Sequence, residues 1–586
     1  MFLEQAERHA DKTLLVVKTG GKWVPLTWGE VRETVSRLSR GLRAIGVEPG
    51  DRVVIVSENR PEWLISELAI LCARAIAVPA YTTNTVEDHV HIIHNVSARA
   101  VIVSTRKLQK NALAAAHKID SCDLAVVMEP PHAGQDIGGV AVHTWDDVLA
   151  KGAAMPDDVA GVVAKAARTD TAAVIHTSGT GGAPRGVMLS HGAILHNCEG
   201  AAILFGKHME YGKESFLSFL PLSHSYEHMA GQFFPMSIGA EIHYAESIEA
   251  LVGNMAEAKP TIMTAVPRLY ETMYARVQKS TAQNKGLKKK LFDTALALGT
   301  KKYHRPGSLT LGERIMDAIV DRLVRDKIRA RFGGRLKFFV SGGAPLNVDI
   351  GVYFTALGIN LLQGYGLTES APLISCNLPD KVKLHTVGPP VANTEVRIAD
   401  DGEILVRGEL VMQGYWGDDK ATASVIKDGW LHTGDIGLLD EDGYLQITDR
   451  KKDIIVNSGG DNISPQRVEG FLALQPEIHQ AMVFGDKRPY LVALLVPDPD
   501  FLAEWAKAAD KAADLGEIHA DPGLHEAVSR AVERVNSDLS QFERVRRFMI
   551  ARGPFTVENG MMTPSMKIRR HMIKQDYGTA LENLYR

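Results

Sequence analysis

Short apolar runs that alternate with helix-length amphipathic stretches are what most constrain this chain. From Leu26 to about Val187, helical patterns such as Trp28–Ile45 and Pro61–Ala73 are interleaved with runs such as Arg52–Val56, Ile76–Pro79 and Ala100–Val103. Runs this short and this apolar read as buried strands, and strands alternating with helices signal α/β layering. The pattern resumes at Phe216–Leu220, Glu241–Tyr244, Thr261–Ala265 and Leu336–Val340. From about Val387 to Thr448 the texture changes to strands separated by the turn dipeptides Asp401-Gly402, Asp428-Gly429 and Asp442-Gly443, which predicts a β-rich subdomain. The charged run Asp449-Arg450-Lys451-Lys452-Asp453 then separates this region from a shorter α/β segment ending at Arg586; it reads either as a hinge or as a solvated turn.

At 586 residues the chain exceeds one ordinary core, so several domains or subdomains are expected. A charged fraction of 23% and a net charge of -4 argue against a nucleic-acid partner. Cys72, Cys122, Cys198 and Cys376 lack any metal-binding spacing, which predicts free thiols filling core positions in a reduced compartment. The first residues mix acidic, basic and apolar side chains, unlike a signal peptide, and no run of about 18 apolar residues occurs, so a cytoplasmic chain that does not span a membrane is expected. Lys285–Arg305 holds an apolar helix-like core between lysines. It reads as a solvated helix with an apolar inner face or as a peripheral membrane-surface patch, since flanking lysines attract anionic headgroups.

The loop Thr177–Val187, TSGTGGAPRGV, joins the strand-like stretches Ala172–Ile175 and Val187–Leu189. Its glycines let successive N–H groups converge on one anion, its hydroxyls add donors, and Arg185 adds charge, so it reads as a phosphate cradle; a polar surface turn is the plain alternative. A Walker phosphate loop is excluded, because Gly186 is followed by Val187 and an apolar strand, without the Lys-Ser/Thr that opens a helix.

Further motifs follow in a fixed order: GYGLTES at Gly364–Ser370, TGD at Thr433–Asp435, DRKKD at Asp449–Asp453 and TPSMKIRR at Thr563–Arg570. With the loop, this set resembles the acyl-adenylate-forming superfamily of acyl-CoA synthetases, nonribosomal-peptide adenylation domains and luciferases, and the resemblance covers essentially the whole chain. It implies a large N-terminal adenylation domain, residues 1–449, of layered α/β subdomains plus the β-rich one, and a small mobile α+β lid, residues 450–586. It also implies ATP, Mg2+ and coenzyme A. Thr177, Ser178, Gly179, Thr180, Gly181, Gly182 and Arg185 would then grip the phosphates of ATP. Tyr365, between Gly364 and Gly366, would stack on adenine; Thr368 would donate to a phosphate oxygen; Glu369 and Thr180 would take the metal; Asp435 and Arg450 would hold the ribose. Lys567 resembles the family's catalytic lysine, whose ammonium stabilises charge as a carboxylate attacks the α-phosphate. Rotation about Lys452 would then withdraw Lys567 and bring Ser458, Gly459 and Gly460 toward a pantetheine channel.

Leu217–His228, Ala265–Tyr274 and Val340–Leu346 closely resemble segments of long-chain fatty acyl-CoA synthetases, which implies a medium-to-long-chain fatty acid as substrate. On that resemblance Ser341, Gly342 and Gly343 lie where the acyl carbonyl meets the nucleotide, and His224 either borders the carboxylate and gates the tunnel or is a structural histidine near His228. The loop departs from the family pattern at Gly181, which replaces a threonine, and at Arg185, which replaces a lysine. One phosphate donor is lost, and the charge is spread over a planar fork. Transfer to a free acyl carrier protein in place of coenzyme A is the nearest alternative; a non-catalytic acyl-binding protein and a luciferase-like oxygenase are the others. An oligomer is compatible with each.

Overall fold

The computed structural model describes residues 1–131, 138–177, 183–282, 285–459, 461–563 and 567–586. Among these, two eight-stranded sheets carry most of the chain. One has the strand order Gly414–Tyr415, Arg185–Ser190, Thr171–Thr177, Ile76–Ala80, Arg52–Val56, Ala100–Val103, Leu124–Val127, Ala141–Thr144. The other runs Leu373–Cys376, Leu361–Gly366, Phe338–Ser341, Ile262–Ala265, Ser215–Ser218, Glu241–Tyr244, Thr13–Thr19, Lys22–Thr27.

The central strands pair in parallel, as the interleaved helices require. Burial explains why they could be read from composition: Ala100, Val101, Ile102 and Val103 are all 0% exposed, so no polar residue is tolerated on either face. Each buried aliphatic side chain of valine size or larger contributes about 1.5–3 kcal/mol relative to an exposed one. The helices Trp28–Ala44 and Pro61–Cys72 fall within a residue of their expected limits. The first starts at a capping box, in which Thr27 accepts from Glu30 N–H and the Glu30 carboxylate accepts from Thr27 N–H.

The β-rich subdomain is an antiparallel sheet of Glu395–Ile398, Glu403–Arg407, Trp430–Leu439 and Ile426–Lys427, with Leu445–Arg450 on Trp430–Leu439. Asp428 and Gly429 both take positive φ, 51° and 76°, which lets a two-residue turn close the hairpin onto Trp430. The C-terminal part has its own sheet, Ile478–Phe484, Leu491–Pro497 and Val545–Ile550, covered by helices including Pro465–Ala473 and Pro522–Asp538 around a separate core.

Two features lie outside the sequence reading. The N-terminal hairpin adds Thr13–Thr19 in parallel to Glu241–Tyr244, far along the chain, and His228–Phe233 winds as a π-helix. The lysine-flanked stretch is a helix, Leu287–His304, whose inner face buries Ala295, Leu298 and Gly299. A Cβ on Gly299 would lie 2.4 Å from Ala356 O, so its backbone sits directly on the helix Val348–Ala356. The four cysteines are buried and free. No helix among the described residues is long and apolar enough to cross a membrane.

Candidate functional site

Both large sheets, the antiparallel subdomain and the C-terminal part contribute to the wall of one cavity of about 1070 Å3. One end is apolar, lined by Ala201, Phe205, Phe216, Met229, Phe234 and Val340. The rest is largely polar and includes most of the described residues expected in the site.

The hairpin Thr171–Thr177/Arg185–Ser190 closes with Thr177 opposite Arg185, and both line the cavity. Ser178, Gly179, Thr180, Gly181 and Gly182 lie outside the described residues, so the hydroxyl and metal roles expected of them have no structural account. Arg185 is not an isolated cation: its Nε lies 3.6 Å from Asp418 Oδ2 and its guanidinium sits 5.5 Å from the centre of the Tyr415 ring. A planar fork suits that stacking better than a lysine ammonium does.

Gly364, Tyr365 and Gly366 end the strand Leu361–Gly366 on the cavity wall, and Thr368 and Glu369 follow in a short 3-10 turn. Tyr365 Oη donates to Asp435 Oδ2 at 2.6 Å, and Arg450 Nε donates to Asp435 Oδ1 at 3.2 Å. Asp435 and Arg450 face each other across adjacent strands, which fixes the pair by register. Asp435 therefore sits behind the lining with both oxygens engaged. Burial pushes its carboxyl above the usual range, while Arg450 and Tyr365 pull it down. Thr368 Oγ1 lies 3.0 Å from Ser225 Oγ.

Glu369 Oε1 accepts from Tyr415 Oη at 2.9 Å. Among the described residues its other oxygen has no donor and no Lys or Arg pairs with it. A half-buried carboxylate facing a cavity with an uncommitted oxygen fits magnesium, which binds through few carboxylates and shares its remaining positions with phosphate and water.

His224 lines the cavity and its Nδ1 accepts from Tyr226 N–H at 3.2 Å, capping the turn Ser225–Glu227. Burial and the nearby charge of Lys567 push its pKa down to about 4, so the ring is neutral with its proton on Nε2. Its neighbour His228 is held by Glu67 Oε1 at 2.5 Å.

Gly342 and Gly343 line the cavity; Ser341 does not, and is 2% exposed. Strand alternation is the reason: Val340 and Gly342 face the cavity, so the residue between them points the other way. Gly342 leaves little room for a side chain, because a Cβ there would come within 3.0 Å of the Tyr226 ring.

Lys567 enters from the loop that returns through Thr563, which accepts from Lys567 N–H and donates its own N–H to Lys567 O. Its side chain is exposed to the cavity yet enclosed by protein, so its ammonium loses bulk solvation. That loss, with the repulsion of Arg450, lowers its pKa against the opposing pull of Asp435 and Glu369. Lys452 also lines the cavity. Ser458 and Gly459 do not: Ser458 N–H donates to Arg488 O and Gly459 N–H to Asn457 Oδ1. Gly460 lies outside the described residues.

Tyr415, Asp418, Ser225 and Tyr226 belong to the site without having been expected there. Tyr415 has the clearest consequence. Replacing it by phenylalanine is expected to free Glu369 to rotate and to raise the magnesium concentration needed for half-maximal turnover by about tenfold, the size usual for partners that orient metal ligands. Magnesium titration, paired with calorimetry of Mg-ATP binding, checks this; an unchanged magnesium dependence would remove Tyr415 from that role.

Residues 2–416 match the family model described as AMP-binding enzyme, and residues 452–586 match that of the AMP-binding enzyme C-terminal domain. The long-chain-fatty-acid–CoA ligase FadD15 of Mycobacterium bovis is 34% identical over 593 residues, spanning 100% of this chain and 96% of that protein. The peroxisomal long chain acyl-CoA synthetase 6 of Arabidopsis thaliana is 32% identical over 591 residues, spanning 96% of this chain and 82% of that protein. Among solved structures, the adenylation domain of a carboxylic acid reductase from Segniliparus rugosus, in complex with AMP and a co-purified carboxylic acid, superposes with a TM-score of 0.76. It is 20% identical and covers 100% of this chain and 93% of that one, a likeness of fold.

Proposed function

This chain belongs to the AMP-binding enzyme family, and on that premise we propose that it converts a medium-to-long-chain fatty acid to its coenzyme A thioester through an acyl-adenylate. One observation carries the reading: a single cavity is lined by the apolar side chains Phe205, Phe216 and Phe234, by the polar residues Thr177, Arg185, Tyr365, Thr368, Glu369 and Arg450, and by Lys567. Full-length similarity to long-chain-fatty-acid–CoA ligases supports the acyl class and the acceptor.

The fatty chain occupies the arm bounded by Phe205, Phe216 and Phe234, with its carboxylate at Gly342, Gly343 and neutral His224, whose Nε2–H is a donor. A carboxylate oxygen attacks the α-phosphorus of ATP; the bond to the bridging oxygen breaks, and pyrophosphate leaves. Lys567 stabilises the charge that builds on the α-phosphoryl oxygens. Tyr365 and Arg450, both held by Asp435 behind them, border the nucleoside, and Arg185 and Thr177 border the departing phosphates. Glu369, oriented by Tyr415, would hold magnesium, which would supply positive charge against the phosphates. In the second half-reaction the coenzyme A thiol attacks the acyl carbonyl and AMP leaves. Residues 1–449 act as the adenylation domain and 450–586 as a lid turning at Lys452, which exchanges Lys567 for Ser458–Gly460. A cytoplasmic enzyme in peripheral contact with lipid through Lys285–Arg305 is part of the same reading, supported by free cysteines and by lysines left exposed on that helix.

Pyrophosphate release across a series of carboxylic acids, with and without coenzyme A, tests the reading. Long-chain acids are expected to give both pyrophosphate and thioester. No release with any acid would overturn it, and release without thioester, restored by an acyl carrier protein, would change the acceptor.

A further inference from the structure

The segment after the lysine-flanked helix has apolar side chains on its outer side as well as its inner one. Leu311–Val320 continues through a π-helical turn, Asp321–Arg325, into Asp326–Arg331. On its inner side Arg325, 5% exposed, donates to Asp317 Oδ1 at 2.7 Å, to Ala356 O and to Ala295 O. On its outer side Leu311, Ile315, Ile319 and Leu323 follow at steps of four and are 77%, 58%, 43% and 45% exposed, with Met316 beside them at 41%. The inner side already has its own apolar contact through Val320, so these outer aliphatic side chains are surplus to the core, and a contiguous exposed apolar stripe marks an interaction surface.

Charge selects the occupant. Residues 285–331 contain 13 Lys and Arg against five Asp and Glu, in a chain whose net charge is -4. All five acids are engaged within the segment: Asp293 with Lys289, Glu313 with Lys301, Asp317 and Asp321 with Arg325, and Asp326 with Arg329. Lys288, Lys290, Arg305, Arg314, Arg322 and Lys327 have no acidic partner among the described residues. A second copy of this chain would bring the same basic surplus against itself across a two-fold axis. An anionic lipid surface accepts both the aliphatic stripe and the cations around it.

We propose that the Leu311–Leu323 face inserts at the surface of an anionic membrane, with Lys288, Lys290, Arg314 and Arg322 against the headgroups. The lysine-flanked helix supplies charge, while Ala295, Leu298 and Gly299 on its inner face are already buried, Gly299 against Val348–Ala356. The inference rests on the peripheral lipid contact proposed above and moves its apolar part to Leu311–Leu323; it needs neither ATP nor an acyl substrate, so its failure leaves the ligase chemistry untouched.

The test is flotation of the full chain, without substrates, on vesicles of phosphatidylcholine with and without a quarter phosphatidylglycerol. Binding is expected to the anionic vesicles, to weaken with salt, and to fall at least about tenfold in Ile315→Ser/Ile319→Ser. In Arg314→Gln/Arg322→Gln it is expected to fall about fivefold for each charge removed. Unchanged pyrophosphate release with a short, water-soluble acid shows that these variants are folded. No binding of the intact protein to anionic vesicles, or equal binding by the double-serine variant, overturns the proposal. So does a dimer in sedimentation that the serine variant dissolves, which would assign the face to a second copy.

Discussion

Replacing Lys567 by alanine is expected to slow acyl-adenylate formation by about a hundredfold to a thousandfold, the size seen when one preorganised charge-stabilising donor is removed. The cavity explains why water does not substitute. Lys567 is enclosed by protein, with Arg450, Asp435 and Glu369 near enough to move its pKa, so its charge acts in a medium of low effective dielectric. Thioester formation from preformed acyl-adenylate and coenzyme A is expected to change by no more than about threefold, because the lysine acts where the phosphoryl group is transferred. Pyrophosphate release and single-turnover thioester formation, measured separately, check the division; equal losses in both would show a structural role. The pH dependence has a definite sign. The active form is the ammonium, and burial with Arg450 lowers its pKa from the ordinary lysine value. Adenylation kcat/KM, which reports the free enzyme, should therefore fall as pH rises through that lowered pKa, at a lower pH than an ordinary lysine would give. Lys567→Arg, whose charge persists at alkaline pH, should lose that limb.

Much of this was legible in the sequence, and the reasons are local. Ala100–Val103 could be assigned because a strand covered on both faces admits no polar residue. The strands Thr171–Thr177 and Arg185–Ser190 could be assigned because a run rich in glycine and hydroxyls separates two short apolar stretches. What escaped depends on contacts between distant segments. Nothing near Arg185 in sequence indicates Tyr415 or Asp418, yet these explain how an arginine is accommodated there. Nothing near Thr13–Thr19 indicates its pairing with Glu241–Tyr244. Ser341 was placed in the site by its motif and turned out of it by strand alternation, a rule that takes effect only once the register of Phe338–Ser341 is known. The outward leucines of Leu311–Leu323 are equally silent in sequence, where an amphipathic pattern does not say which side is buried.

Lys452→Pro is expected to leave adenylation within about threefold of normal and to lower thioester formation by about a hundredfold or more, the cost of misplacing a reacting group by roughly an ångström. The residue before it is anchored to the antiparallel subdomain: Lys451 N–H donates to Gly434 O, and its ammonium pairs with Asp401 and Glu403. The residue after it is tied back by Asp453 N–H to Arg450 O. Among the described residues no backbone bond engages the Lys452 N–H, so its φ is free to change where its neighbours are not, and proline would remove that freedom. The arrangement described here, with Lys567 in the cavity and Ser458–Gly459 outside its lining, suits the first half-reaction. The second requires the lid to turn, and a proline that fixes φ would trap bound acyl-adenylate. Lys452→Ala separates the two contributions, since it removes the side chain and keeps the torsion; both half-reactions should persist in it. Thioester formation by the proline variant at the rate of the alanine variant, with both equally stable to heat, would exclude Lys452 as the pivot.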